Sequence, residues 1–587
     1  MVTNPLLLAE QAFASYALGD LPQALEYARQ ALIQGIRDVA LLNLAGACHF
    51  QAGQVAEAEF FWRQALRFKP DYAEAANNLA ILLKGQKRYD EAFQAYRQAL
   101  VADGANAHSW FNLGNLMRES GRLAEAEAAY RQALTLQPGS PDFLLNLGIL
   151  LQSANRSGEA EASFRQVLEH SPDHIEARLH LGLLLQQARR FPEAEALYRQ
   201  ALALQGDNAA IHTHLGNLLS AVKRYAEAEA ALRQALLCSG NPVVSLCDLG
   251  NFLRKAQRFD EAEACFSQAL SLDPDHPESL LNLGLLRLAE GRFTEGWPLY
   301  EARRHPDLRH KTHIDFQAPF ARWQGESLSG KSLLMVPEQG FGDQIQLCRY
   351  APLLKRRGVT QLTLACPACL QRLFQSLAGT DRLVIDDGKP LPVHDYWVFS
   401  GDLPGLLGST LEAIPATLPY LRPPGGPSFL PEGRFRVGVV WKGNANHLND
   451  ASRSLPGLST LTPLWSVTGV TFVSLQKGAG EEEIAAFEHP LVAMGERLTD
   501  FADTAEVVAQ LDLVISVDTA VVHLSGALGK RCWVMLPAWS CDFRWMRGRA
   551  DSPWYPEVLR LFRQKEPDDW AGVVAEVTAA LRKLVAG

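Results

Sequence analysis

Apolar positions along this chain follow two periods. Over roughly the first 300 residues they recur at the three-to-four spacing of amphipathic helices, and the pattern repeats every 34 residues. Leu-Gly pairs stand at 113–114, 147–148, 181–182, 215–216, 249–250 and 283–284, and Leu79-Ala80 continues the series upstream. A small residue recurs in a second register at Ala24, Ala58, Ala92, Ala126, Ala160, Ala194, Ala228, Ala262 and Gly296. Gln-Ala-Leu recurs at 64–66, 98–100, 132–134, 200–202, 234–236 and 268–270, and Pro70, Pro138, Pro172 and Pro274 punctuate the ends. Three markers in one register predict helix pairs that bury their apolar faces only by stacking on neighbours. The small residues are expected where the two helices of a pair approach closely. Tyr96, Tyr130, Phe164, Tyr198 and Phe266 are expected to fill the layer between repeats.

This register is similar to the tetratricopeptide-repeat (TPR) consensus. The resemblance implies an all-α TPR superhelix of about nine repeats over residues 1–304, whose groove holds a protein partner. One position carries more than the consensus. The residue before each Leu-Gly or Leu-Ala is Asn78, Asn112, Asn146, His180, His214, Asp248 or Asn282, always a short side chain able to hydrogen-bond. The series resembles the asparagine ladder of O-linked N-acetylglucosamine transferases, which implies a groove for an extended acceptor polypeptide. A solvated polar position explains the same residues.

After about residue 305 the period changes. Residues 305–330 read as a connector, 331–425 as a short first α/β lobe and 433–587 as a second, with a Pro/Gly-rich linker at 422–434 between them. Strands are predicted at Ser332–Val336, 360–366, Arg436–Trp441, 471–476, 511–517 and 532–536. Helices are predicted at about 344–357, 371–377, 482–488, 504–510, 519–528 and 568–585. Two such units predict two Rossmann-like lobes, with ligands at the carboxyl ends of the strands.

Composition narrows the classes. The chain has 587 residues, too many for one core. Its net charge of -9 argues against duplex nucleic acid as the main partner. No apolar run reaches the roughly 18 residues of a membrane helix. The N-terminus has no basic cluster before its apolar stretch, so a cytoplasmic protein is expected. Cys366 and Cys369 form a lone CxxC and read as ordinary thiols, and Asp386-Asp387 reads as a surface turn. No metal site and no cofactor are expected.

Four motifs carry candidate chemistry. Gly340, Gly342 and Asp343 lie between a strand and a helix; Asp343 reads either as a helix cap or as a general base. Lys442 and Asn444, followed by Arg453, come after the first strand of the second lobe and suit a diphosphate. Gln476 and Lys477 close the next strand. Asp518, Thr519 and Ala520 open a helix whose N–H groups suit phosphate, and His523 lies one turn further in.

The stretch SVDTAVVHLSGALGK resembles the late donor-binding motif of glycosyltransferase family 9, the bacterial heptosyltransferases of GT-B fold. The Gly342-Asp343 turn resembles that family's Gly-Asp motif, and Arg453 stands where the family has a basic residue near the donor phosphates. The motif set also resembles bacterial TPR-containing glycosyltransferases, some of which modify proteins such as flagellin. The resemblance implies an α/β GT-B-like region that transfers a sugar from a nucleotide-sugar donor to a protein, inverting and metal-independent, with Asp343 as the base. The sequence leaves two other readings open: an interaction scaffold with a catalytically silent GT-B-like domain, and a heptosyltransferase-like enzyme acting on a saccharide.

Overall fold

A computed structural model describes residues 4–308, 316, 318–426, 430, 435–447 and 449–586. The expected connector and linker, and the expected start of the second lobe at 433, fall partly outside these residues. The chain divides into two compact units, Met1–Cys238 and Ser239–Gly587.

The first unit is a run of helix pairs, from Pro5–Ala17 with Leu21–Ile33 to Ala209–Ala221 with Tyr225–Cys238. The reason for the Leu-Gly marker is visible in the packing. A Cβ on Gly114 would stand 2.6 Å from the Tyr130 ring, and one on Gly148 2.6 Å from Phe164. Each aromatic therefore sits on the glycine of its own pair. The missing side chain on the first helix leaves room for the ring on the second, and Phe164 and Tyr198 also stack on His180 and His214 of the following pair, so these rings reach into the layer between repeats. Ala58, Ala92, Ala126, Ala160 and Ala194 on the second helices are fully buried, as close approach requires.

Two further regularities run through the first unit. The turn inside each pair holds one residue at positive φ. Gly19, Gly53 and Gly121 occupy it in three pairs, but Lys87, Asn155, Arg189 and Lys223 adopt it in others, at φ between 58° and 64°. From the third pair on, an arginine opens the second helix and, except at Arg122, binds two carboxylates, one three residues ahead and one in the preceding pair. Arg88 meets Glu91 at 2.8 Å and Glu59 at 2.9 Å; Arg190 meets Glu193 at 2.7 Å and Glu161 at 2.9 Å. Phe93 interrupts the carboxylate series, and there the guanidinium of Arg122 lies over the ring at 5.0 Å.

The second unit begins with two more pairs, Pro242–Lys255 with Phe259–Leu272 and Pro277–Ala289 with Phe293–Tyr300. Two parallel sheets follow. The first has strands β1 (Ser332–Val336), β2 (Gln361–Cys366), β3 (Arg382–Ile385) and β4 (Tyr396–Phe399), in the order β3-β2-β1-β4. The second has β5 (Phe435–Val440), β6 (Val470–Ser474), β7 (Val492–Ala493), β8 (Leu513–Val517), β9 (Cys532–Leu536) and β10 (Leu559–Arg563), in the order β10-β9-β8-β5-β6-β7. Strands covered on both faces need continuous apolar runs, and β8 and β9 are buried at every position. In each sheet the strand order reverses beside its first strand, the place where open parallel sheets leave a crevice.

One core of this unit runs from Leu288 and Trp297 in the last pair through Leu333 and Met335 to Val473, Leu524 and Tyr555. The predicted strands at Ser332–Val336 and 532–536 match β1 and β9. The helix predicted at 344–357 is instead Phe341–Leu347, a 3-10 turn Cys348–Tyr350, and Ala351–Arg356, because Pro352 has no N–H to continue the ladder. Asp343 consequently lies in the first helical turn and Gly340 holds the cap, so the capping reading of Asp343 is corrected. The segment expected as a helix at 482–488 is a 3-10 turn over Glu481–Ala486.

Candidate functional site

A cleft of about 970 Å³ opens at the carboxyl ends of both sheets of the second unit. The chain leaves β1 through Glu338–Gly340 into the helix Phe341–Leu347. It leaves β8 through Asp518 and Thr519 into the helix Ala520–Ala527. The two helices touch: a Cβ on Gly342 would stand 2.8 Å from His523 and 3.4 Å from the Cα of Ala520. Gly342 is thus needed for close approach of the lobes, a packing role beside its expected donor contact. Thr519 gives the helix Ala520–Ala527 no side-chain cap, and Val522 N–H bonds the Thr519 carbonyl at 3.1 Å; Thr519, Ala520 and Val521 line the cleft.

Asp343 and Arg544 form an ion pair across the cleft, with side chains 21% and 10% exposed. Arg544 is held from behind by Asp542 at 2.9 Å and donates to Gln339 Oε1 at 3.1 Å. Gln339 Nε2 in turn donates to the hydroxyl of Tyr300 at 2.8 Å. Burial raises the Asp343 carboxyl above its ordinary value, and the charge of Arg544 opposes the shift. Asp518 is also raised, by burial and by the charge of Asp542. Burial works against Asp542 too, but Arg544 holds it below the usual range. His523 is pushed down to about 3, by burial first and the charge of Arg544 second. A neutral imidazole results, its Nδ1 2.9 Å from the Tyr555 hydroxyl and its ring stacked on Trp545.

The remaining expected donor contacts separate by their partners. Lys442 lines the cleft but is paired with Glu483. Lys477 donates to the Gly495 carbonyl at 2.6 Å. Gln476 is buried and spends its amide on backbone, accepting from Trp441 and Lys442 N–H groups at 3.0 Å and donating to the Lys442 and Ala479 carbonyls. It shapes the loop that presents Lys442. Asn444 is exposed and accepts from Asn446 N–H at 3.0 Å, and Gly340 lines the cleft at the helix cap. Arg453 is different. It lines the cleft, its closest ion-pair contact is Asp450 at 3.6 Å, and its buried Nε makes no hydrogen bond among the described residues. The guanidinium lies on Gly443, where a Cβ would come within 2.9 Å of it.

The polar series on the repeats is used internally in several places. Asn78 donates to Asn43 at 3.0 Å and Asn112 to Asn77 at 3.5 Å. Asn146 and Asn282 donate to their own helix carbonyls at Asp142 and Glu278. His180 and His214 stack on Phe164 and Tyr198. Asp248 is half-buried. The amides of the first repeats tie successive pairs together, and the histidines belong to the aromatic packing.

Sequence reasoning missed Asp542, Arg544 and Tyr300, and it gave Gln339, inside the motif before Asp343, no role of its own. The signal was available: PAWSCDFRWMRG follows β9 immediately, and a strand end is where cleft residues arise. That loop is bound to the last two repeat pairs. Gln257 Nε2 donates to the Ala538 carbonyl at 2.7 Å, Ser540 N–H to Lys255 at 2.8 Å, and Arg547 N–H to Ala289 at 2.9 Å.

Profiles described as tetratricopeptide repeat match residues 10–73, 61–107, 77–141, 145–209 and 247–308, and a second profile of that description matches 185–245. The N-terminal part is an array of tetratricopeptide repeats. The chain is 31% identical over 332 residues to Protein FlbA of Caulobacter vibrioides, covering 51% of this chain and 54% of that protein. It is 31% identical over 102 residues to the uncharacterized protein ycf37 of Pyropia yezoensis, covering 15% and 57%. The chain thus spans little more than half the length of these curated relatives. A tetratricopeptide repeat protein from Parabacteroides merdae, at 20% identity, covers 42% of this chain and 98% of its own with a TM-score of 0.36. No helix among the described residues is long and apolar enough to cross a membrane.

Proposed function

We propose that the repeats bind a protein partner and that the α/β cleft, read as a GT-B-like arrangement, transfers a sugar to that partner from a nucleotide-sugar donor. One observation carries the second half of this reading. Arg453, with an unbonded guanidinium N–H, and the uncapped helix Ala520–Ala527 line the same cleft as a half-buried carboxylate, Asp343. The cation and the helix dipole suit a diphosphate. The carboxylate suits a hydroxyl that must lose its proton. In the inverting reaction the acceptor oxygen gives its proton to Asp343 and attacks the anomeric carbon, and the nucleotide leaves with the bonding electrons. Arg453 and the helix N–H groups stabilise the charge that develops on it. Lys442 and Lys477, already engaged by Glu483 and Gly495, contribute less than their sequence positions suggest.

A second reading has its own support. The family profiles match the repeat array, and such arrays are interaction modules. The chain is then a protein-binding scaffold whose cleft catalyses nothing. Thermal-shift measurements with UDP, ADP, GDP and CMP sugars separate the two. Binding stabilises the folded state in proportion to ln(1 + [L]/Kd). The transferase reading expects one nucleotide class to raise the unfolding midpoint, with the rise lost in Arg453→Ala. A flat response to all four sinks the transferase and leaves the scaffold.

A further inference from the structure

The last two repeat pairs grip both loops that carry the Asp343–Arg544 pair. On one side, Tyr300 accepts the hydrogen bond of Gln339, and Arg303, one turn later, pairs with Glu338 at 2.5 Å. Arg303 is 1% exposed and also binds Asp402, while its guanidinium packs over the Tyr300 ring at 4.4 Å. Residues 338 and 339 therefore leave β1 in a fixed direction, and Asp343 follows within a few residues. On the other side, the loop bearing Asp542 and Arg544 is bonded to the backbone of Lys255 and Ala289 and to the side chain of Gln257. Its Trp539 packs edge-on against Phe252 at 5.1 Å. Ser540 and Met546 in this loop hold positive φ, a strained backbone that only surrounding contacts sustain.

We propose that Arg544 is the positioning residue for Asp343, and that Tyr300, acting through Gln339, sets its direction, so that the end of the repeat array fixes the geometry of the cleft carboxylate. The inference rests on the reading of Asp343 as the base. The donors converge: one Arg544 nitrogen, Nη2, serves both Asp343 and Gln339, while Nη1 is fixed by both oxygens of Asp542. A planar guanidinium with one edge clamped has no freedom to turn the other. The charged groups around Asp343 are Arg544 and Asp542 from the 537–548 loop and Glu338 from its own loop. Neutral His523 packs on Gly342 from the facing helix.

The test reads the coupling between positions 343 and 544 in the full chain. Unfolding midpoints are measured at pH 5 and pH 8 for the native protein, Arg544→Met, Asp343→Asn and the double variant. Burial favours the protonated Asp343 and Arg544 opposes it. Without Arg544 the folded-state carboxyl binds its proton up to a higher pH. An acid with its folded pKa raised loses stability as pH rises towards that pKa, so Arg544→Met destabilises more at pH 8 than at pH 5. Asp542 loses the same partner, which is why the effect is taken as the difference between the native and Asp343→Asn backgrounds. The expected result is a coupling that grows from pH 5 to pH 8, is partly restored by Arg544→Lys, and shrinks in Gln339→Leu. A coupling of zero, or one equal at both pH values, overturns the positioning role. A coupling untouched by Gln339→Leu overturns the link to the repeats. Failure of every nucleotide to bind overturns the transferase and is read separately from this coupling.

Discussion

Arginine–carboxylate pairs hold together both the repeats and the α/β unit, and their surroundings give them very different weight. On the repeats the pairs form a periodic ladder on open helix faces; Arg63, Arg131 and Arg199 are about half exposed. Beside the cleft, the side chains of Arg303, Glu338 and Asp402 are nearly or fully buried. An exposed pair gains little beyond the water it displaces. A buried one has lost its solvent, so each charge depends on its partner. The array can therefore tolerate a gap such as Phe93, where a cation lies on a ring instead. The cluster beside the cleft has no such tolerance.

This contrast sets an order of expected effects. The largest is Asp402→Ala, which leaves Arg303 buried without one of its partners and should cost about 3–5 kcal/mol in denaturant titration. A loss below about 1 kcal/mol would erase the distinction between the two regions. Next comes pH. His523 keeps a folded pKa of about 3 while an unfolded histidine binds its proton near 6.5, so its contribution is complete above about pH 6.5. It is then lost as pH falls towards 3, with a slope of about 1.4 kcal/mol per unit. His523→Gln should remove that slope from a pH series of unfolding free energies. In the array, Gly148→Leu places a side chain where the Phe164 ring lies, and overpacking of this kind costs about 1–3 kcal/mol; an unchanged melting curve would show that the ring relocates freely. Glu59→Gln removes pairs with Arg63 and Arg88, and should cost about 1 kcal/mol or less, falling further at 1 M salt. The smallest effect runs the other way. Arg189→Gly relieves a left-handed backbone and should gain no more than about 1 kcal/mol in midpoint analysis, since glycine's entropy offsets part of the relief.

The two regions also differ in how much their sequence discloses. Repetition made the array legible: Gly114, Gly148 and Gly182 share a register, and each meets a ring or its equivalent on the partner helix. The ion ladder was equally periodic in the residues, but it needs Glu59 and Arg88 read together across 29 positions, a spacing that belongs to the pair-to-pair stack and not to one helix. In the α/β unit, β1 and β9 announced themselves as apolar runs. β3 and β4 have four residues each and β7 two, too short to carry a period. Of the cleft residues, Asp343, Arg453 and His523 lie in the segments that follow β1, β5 and β8, and their motifs were legible. The segment holding Arg544 also follows a strand, β9, and could have been singled out, but its ties to Lys255 and Ala289, and that of Gln339 to Tyr300, come from far along the chain and no local pattern encodes them.

The register of repeats ends near residue 304, yet the bonds from Lys255, Gln257, Ala289, Tyr300 and Arg303 reach into the cleft loops. A protein engineer wishing to graft this α/β unit onto another solenoid should not cut where the repeats stop. The transplantable cassette begins at Ser239 and brings its own two-repeat cradle with it.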